Sequence, residues 1–125
     1  HTKYSEIVGA TNSAVTSMLD RGAYTAIASH DLPVIEHALA ELRNRGLTDS
    51  RSTGLEKKGP GYEFQFLLGV RGDVRRSLAS KGHLTRVYVP YGTRWYEYGI
   101  RRLRENPEVA SHVVKALLMP WTNRR

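Results

Sequence analysis

Residues 62–70 read Tyr62-Glu63-Phe64-Gln65-Phe66-Leu67-Leu68-Gly69-Val70. Successive side chains of an extended chain face opposite ways. Phe64, Phe66 and Leu68 therefore point to one side, and Glu63, Gln65 and Leu67 to the other. The first set is wholly apolar and the second mixed. This is the pattern of a strand with one face against a core.

Outward from this strand the chain changes period. Residues 23–29 (Ala-Tyr-Thr-Ala-Ile-Ala-Ser) are short, apolar and partly β-branched, which suits a buried strand. Residues 84–89 form a third strand. Between and around them lie helical patterns. One covers 4–21, with Ile7, Ala10, Ala14 and Met18 on its inner face, Leu19 on the flank and Gly22 as its stop. Another covers about 32–45, with Asp31 as cap, Ile35, Leu39 and Leu42 inward and Gly46 as the stop. A short one covers 72–81, with Val74 and Leu78 inward and Gly82 closing it. Two more follow at about 93–105 and 107–118, the latter opened by Pro107 and faced by Val109, Val113 and Leu117. Residues 47–61 are polar, rich in Gly and Ser, and read as a mobile loop.

Alternating strands and helices imply an α/β fold of parallel strands joined by right-handed crossovers. Three such strands leave long apolar edges, which folded proteins avoid. The pattern is that of the last part of a (β/α)8 TIM-like barrel. A small open sheet completed by a second copy of the chain is the alternative.

The 125 residues suffice for one small domain, and the 40% apolar and 25% charged content is that of an ordinary globular protein. There is no cysteine, hence no disulfide framework, thiol nucleophile or thiolate metal site. The five histidines show no ligand spacing, so no metal site is expected. The net charge of +7 is spread along the chain, and the terminal Arg124 and Arg125 end a basic tail over 119–125. No helix-turn-helix spacing, RNA-binding aromatic motif or zinc pattern accompanies that charge, so nucleic acid is not the expected partner.

Chemistry gathers near the C-terminus. Arg86-Val87-Tyr88-Val89-Pro90-Tyr91-Gly92 ends a strand in a turn, and Tyr98-Gly99-Ile100-Arg101-Arg102-Leu103-Arg104-Glu105-Asn106 follows on a helix. Tyr98, Arg101, Arg102 and Glu105 share one helical face. Two guanidinium forks there suit a small carboxylate ligand. Taken alone, the stripe reads better as a solvated basic face with Glu105 paired to its own helix.

Four segments together carry a family resemblance. They are Ala26-Ile27-Ala28-Ser29-His30-Asp31, Tyr62 to Arg71, Arg86 to Gly92, and Trp95-Tyr96 with Arg101 to Asn106. In this order and spacing the chain resembles the closing part of proline dehydrogenase, over about residues 15–106. The resemblance implies a (β/α)8 barrel that binds FAD and oxidises L-proline to 1-pyrroline-5-carboxylate by hydride transfer to the flavin. The chain, 1–118 without its tail, would then hold the last three strands and be inactive alone. The strands bearing the family's catalytic lysine and aspartate have no matching positions here.

The same resemblance assigns roles. Arg101 and Arg102 match paired arginines that hold the substrate carboxylate. Tyr88 and Tyr98 match tyrosines on the proline ring, and Leu67 an apolar wall of that site. Ser29, His30, Gln65 and Glu105 match positions near the cofactor, Ser29 replacing the usual Thr. The parity of Gln65, Leu67 and Tyr88 agrees with a barrel interior. The loop 47–61 is longer and more polar than the family's usual link. The expected partners are L-proline, the missing N-terminal part of the barrel, a second copy at the open edges, and a quinone or other electron acceptor. The expected location is cytoplasmic, with membrane association through the acceptor left open. A non-catalytic self-association or interaction module of the same fold is the competing function. Singly, His30 reads as a structural histidine at a strand end, Tyr88 as packing, Gln65 as a partner to a buried backbone group, and His37, His83 and His112 as surface residues.

Overall fold

The computed structural model describes residues 3–48, 61–89, 91–93, 97, 100, 101 and 104. The element order is α1 (Tyr4–Asp20), β1 (Tyr24–Ile27), α2 (Leu32–Asn44), β2 (Gly61–Leu67), α3 (Gly72–Ser80) and β3 (Thr85–Tyr88). The strands form one parallel sheet in the order β1-β2-β3. Ile27 lies opposite Phe64, and Leu67 opposite Tyr88. The α/β class and the alternation expected from the sequence hold, and consecutive parallel strands joined through helices are consistent with part of a TIM-like barrel. Residues 97, 100, 101 and 104 are helical, within the helix read at 93–105. The helix read at 107–118, the basic tail and most of the loop 47–61 fall outside the described residues.

The core lies on one side of the sheet. Ile27, Tyr62, Phe64 and Phe66 are buried together with Val15 and Leu19 of α1, Ile35, Ala38 and Leu42 of α2, and Leu78 of α3. The strand members alternate along their chains, so they share a single face. All three helices therefore cover that face. Fully burying a large apolar side chain is worth roughly 1.5–3 kcal/mol, and Tyr62, Phe64 and Phe66 dominate this core.

Several local expectations need correction. On α1 the row Ile7, Ala10, Ala14 and Met18 is exposed, and the buried residues are Val15 and Leu19. Ala10 and Ala14 offer little area to bury, so the helix turns its larger Val15 and Leu19 to the sheet. Leu68 is 52% exposed rather than beside Phe66. β2 ends at Leu67 and the chain turns at Gly69, whose φ is 83°, so alternation no longer governs position 68. Asp31 stands at the N-cap of α2, but its side chain makes no cap hydrogen bond. It accepts instead from the Tyr4 hydroxyl at 2.6 Å and ties the start of α1 to α2. α1 and α2 stop where the sequence placed their glycines, Gly22 and Gly46, both in the left-handed region that glycine adopts without strain.

Candidate functional site

The helices α1, α2 and α3 leave the other face of the sheet uncovered. It bears Tyr24, Ala26 and Ala28 from β1 and its end, Glu63, Gln65 and Leu67 from β2, and Arg86 and Tyr88 from β3. Ala26 and Ala28 are exposed, Gln65 and Leu67 half-buried, and Arg86 and Tyr88 exposed. Parity with the buried residues sets this membership on β1 and β2, and register sets it on β3, where Arg86 pairs with Gln65 and Tyr88 with Leu67.

Glu63 is the exception on this face: it is buried, at 2% exposure. A carboxylate out of water needs compensation, and here it is complete. Arg86 donates from Nε to Oε1 and from Nη2 to Oε2, both at 2.7 Å. Gln65 donates from Nε2 to Oε1 at 2.6 Å, and the Tyr24 hydroxyl to Oε2 at 3.0 Å. Each carboxylate oxygen thus accepts two bonds. The planar guanidinium fork matches the carboxylate plane. The Arg86 bonds, followed by those of Gln65 and Tyr24, hold the Glu63 carboxyl down at about 2 against the opposing effect of burial. The same pair raises the Arg86 guanidinium. Burial, and then the hydrogen bond to Glu63, raises the Tyr24 phenol.

At the C-terminal end of the strands three expected residues come together. The Leu67 backbone N–H donates to His30 Nε2 at 2.9 Å. The pairing of β1 with β2 runs only to Ile27 and Phe64, so the imidazole takes over where the backbone ladder stops. The His30 ring also meets Phe66 edge-on, at 5.8 Å between centroids. Since Nε2 accepts, the neutral ring carries its proton on Nδ1. Leu67 lies opposite Tyr88, and the Leu68 N–H donates to the Tyr88 carbonyl at 3.0 Å. Ser29 shapes the turn beside them: its hydroxyl oxygen accepts from the Asp31 N–H at 3.1 Å. The turn after Leu67 passes through Arg71 at φ 47°, a left-handed position that costs a non-glycine residue roughly 1–2 kcal/mol.

The sheet thus gathers Ser29, His30, Gln65, Leu67 and Tyr88 on one face and edge. Gln65 bonds a side chain there, not a buried backbone group. Arg101 is helical and exposed. Tyr98, Arg102 and Glu105 lie outside the described residues. Among the histidines expected at the surface, His37 is half-buried and shares a 3.0 Å hydrogen bond with Thr16. His83 is half-buried against Tyr62 and Phe64 and bonds the Tyr62 hydroxyl at 2.7 Å. The sequence reading overlooked Tyr24 and Arg86 and gave Glu63 no role. The available signal was a carboxylate and a guanidinium at same-parity positions, Glu63 with Gln65 and Leu67, and Arg86 with Tyr88.

The open face sets the half-buried Gln65 amide and Leu67 beside a guanidinium and a phenol that are bound to Glu63. That set suits a flat heteroaromatic ring with polar edges, or a small ring bearing an acid. Among the described residues no group of His, Asp and Glu could hold a metal ion. No helix among them is long and apolar enough to cross a membrane.

Comparison with known proteins bears on the same residues. The family model described as proline dehydrogenase matches residues 3–115. Proline dehydrogenase 1 of Bacillus subtilis (strain 168) is 36% identical over 106 residues, covering 85% of this chain and 32% of its own. Proline dehydrogenase of Deinococcus radiodurans is 36% identical over 100 residues, covering 80% of this chain and 29% of its own. Proline dehydrogenase 2 of Bacillus subtilis (strain 168) is 34% identical over 103 residues, 82% of this chain and 31% of that one. The chain spans about a third of the length of these relatives. With the match running from the start of α1 through β3 and beyond, the chain belongs to the proline dehydrogenase family.

Proposed function

We propose that this chain supplies the closing wall of the site in an enzyme that oxidises L-proline to 1-pyrroline-5-carboxylate with FAD. The observation that carries this reading is the one-sided sheet. Its apolar face is covered by α1, α2 and α3, which leave the polar face open, and that face ends in Leu67 at its C-terminal edge. In barrel enzymes that edge is where sites are built.

In this reading Arg101 and Arg102 hold the substrate carboxylate, and Tyr88, Tyr98 and Leu67 enclose the ring and exclude water. Ser29, His30, Gln65 and Glu105 hold the cofactor. The half-buried amide of Gln65 and the imidazole of His30, beside the apolar Leu67, fit a planar ring with polar edges. FAD, when bound, would accept the hydride from the proline ring carbon and pass electrons to a quinone or another acceptor. The protein groups orient the two rings and keep the carboxylate in place. The remaining barrel wall comes from sequence that the relatives contain and this chain does not match, so the chain alone should be inactive.

The test is a flavin titration followed by proline-dependent dye reduction. The chain alone should do neither. Supplied with the part of the Bacillus subtilis relative that it does not cover, it should do both. Arg101→Ala should then weaken proline binding by roughly ten- to a hundredfold, the worth of one charged hydrogen bond. A flavin spectrum and robust turnover from the chain alone would contradict the reading. So would no flavin uptake by the assembled pair.

A non-catalytic self-association module is the second reading. It is favoured by the exposed row Ile7 and Met18 on α1. Sedimentation of the chain alone, with the assembled pair inert toward flavin, would support it.

A further inference from the structure

We propose that Glu63 is a positioning residue that turns Gln65 into a hydrogen-bond acceptor for a ring N–H of the bound ligand. The inference rests on the reading of the bare face as a cofactor site and adds which edge of the cofactor meets it.

The argument is one of donors and acceptors. Glu63 is bound by both arms of the Arg86 fork, and an ionised carboxylate can only accept. The Gln65 atom lying 2.6 Å from Glu63 Oε1 must therefore be its nitrogen. An amide whose nitrogen is committed to the carboxylate carries its oxygen on the other branch. Gln65 sits on the face that α1, α2 and α3 leave uncovered, one step below Leu67 and opposite Arg86 in the register. Its Oε1 is thus an acceptor available to whatever occupies that face.

The arrangement is also hard to reverse. Turning the amide over would set its oxygen against Glu63 Oε1, two acceptors in contact. Water has little room to replace the donor, because Glu63 is buried and each of its oxygens already accepts two bonds. Without Glu63 the constraint inverts. Arg86 then has only donors to offer, and the Gln65 oxygen turns toward it, leaving the amide N–H2 outward.

The chemistry of the ligand follows. An oxidised isoalloxazine has a single ring N–H, the imide between two carbonyls. A fixed acceptor on this face selects that edge, whereas a fixed donor would select a carbonyl or a bare ring nitrogen. Glu63 touches no ligand in this scheme and acts through Gln65.

The test has two arms. In 15N spectra of this chain, the Gln65 side-chain N–H2 should exchange with water at least about tenfold more slowly than a free amide, as expected for a bond to a charged acceptor. In Glu63→Leu that protection should vanish. In the chain assembled with the uncovered part of the Bacillus subtilis relative, FAD should bind roughly ten- to a hundredfold more tightly than FAD methylated at the imide nitrogen. Glu63→Leu should erase that preference, and so should Gln65→Met, which leaves Glu63 and Arg86 in place. Unprotected Gln65 amide protons, or a preference that survives either substitution, would overturn the proposal. An assembly that takes up no flavin strikes the cofactor reading instead, while the spectra of the chain alone still decide how Gln65 is turned.

Discussion

The two faces of this sheet are made by alternate residues of the same strands and are held by different physics. On the helix side Tyr62, Phe64 and Phe66 are excluded from water by apolar neighbours. On the other side Glu63 reaches the same depth of burial through Arg86, Gln65 and Tyr24. Apolar burial is tolerant of direction and depends on area. The polar cluster depends on direction, since each oxygen of Glu63 needs its own donors. One face can therefore accept changes of shape at modest cost. The other fixes the orientation of particular groups, which is what a binding face requires.

The contrast can be broken most severely from the apolar side. Phe64→Ala removes a fully buried ring from the centre of the core and should cost about 3–5 kcal/mol. Urea denaturation measures it, and a loss below about 1 kcal/mol would mean the ring is not packed as described.

Acid tests the polar side. The Glu63 carboxyl is lowered from 4.5 to about 2 by the Arg86 bonds first. A depressed folded value gives stability that is present above the unfolded value and lost as pH falls toward the folded one. The chain should lose on the order of 3 kcal/mol between about pH 4.5 and 2 from this group. Thermal unfolding across that window checks it, and Arg86→Leu should flatten most of the acid limb.

The two partners of the ion pair should be unequal. Arg86→Leu strands a buried carboxylate and should cost about 2–3 kcal/mol. Glu63→Leu leaves a guanidinium that is half exposed, with 52% of its side chain in solvent, and should cost less than about 1 kcal/mol. Equal costs would mean that Glu63 is better hydrated than its position suggests. The smallest expected effect is that of Met18→Gln on the exposed side of α1, within about 0.5 kcal/mol. A larger loss in sedimenting, concentrated samples would instead reveal a partner on that row.

Much of this was legible beforehand. The alternation through Phe64 and Phe66 located the central strand and its dry side. The glycines at 22, 46 and 82 marked where the helices end, because only a left-handed residue without a side chain stops them so cheaply. His30, which the sequence places at a strand end, lies beside Leu67 and Tyr88 at the C-terminal end of the sheet. The reading failed where two alternatives have similar local cost. The apolar residues of α1 run partly around the helix, so the sequence could not say that Val15 and Leu19, rather than Ile7 and Met18, face inward. Leu68 continues the apolar pattern of β2, yet the turn at Gly69 takes it out of the strand.

Sequence alone determined the α/β alternation, the apolar side of the strands and the family, since these rest on local period and on the identity of residues along the chain. The tertiary structure decided which helix face is buried. It also decided that His30 closes the end of the β1–β2 ladder, and that Glu63, Arg86, Gln65 and Tyr24 form one cluster. Those four residues lie on three different strands. Parallel register brings Tyr24 and Arg86 within 3.0 Å of Glu63, and register is set by how the helices pack the sheet, which no single stretch of the chain encodes.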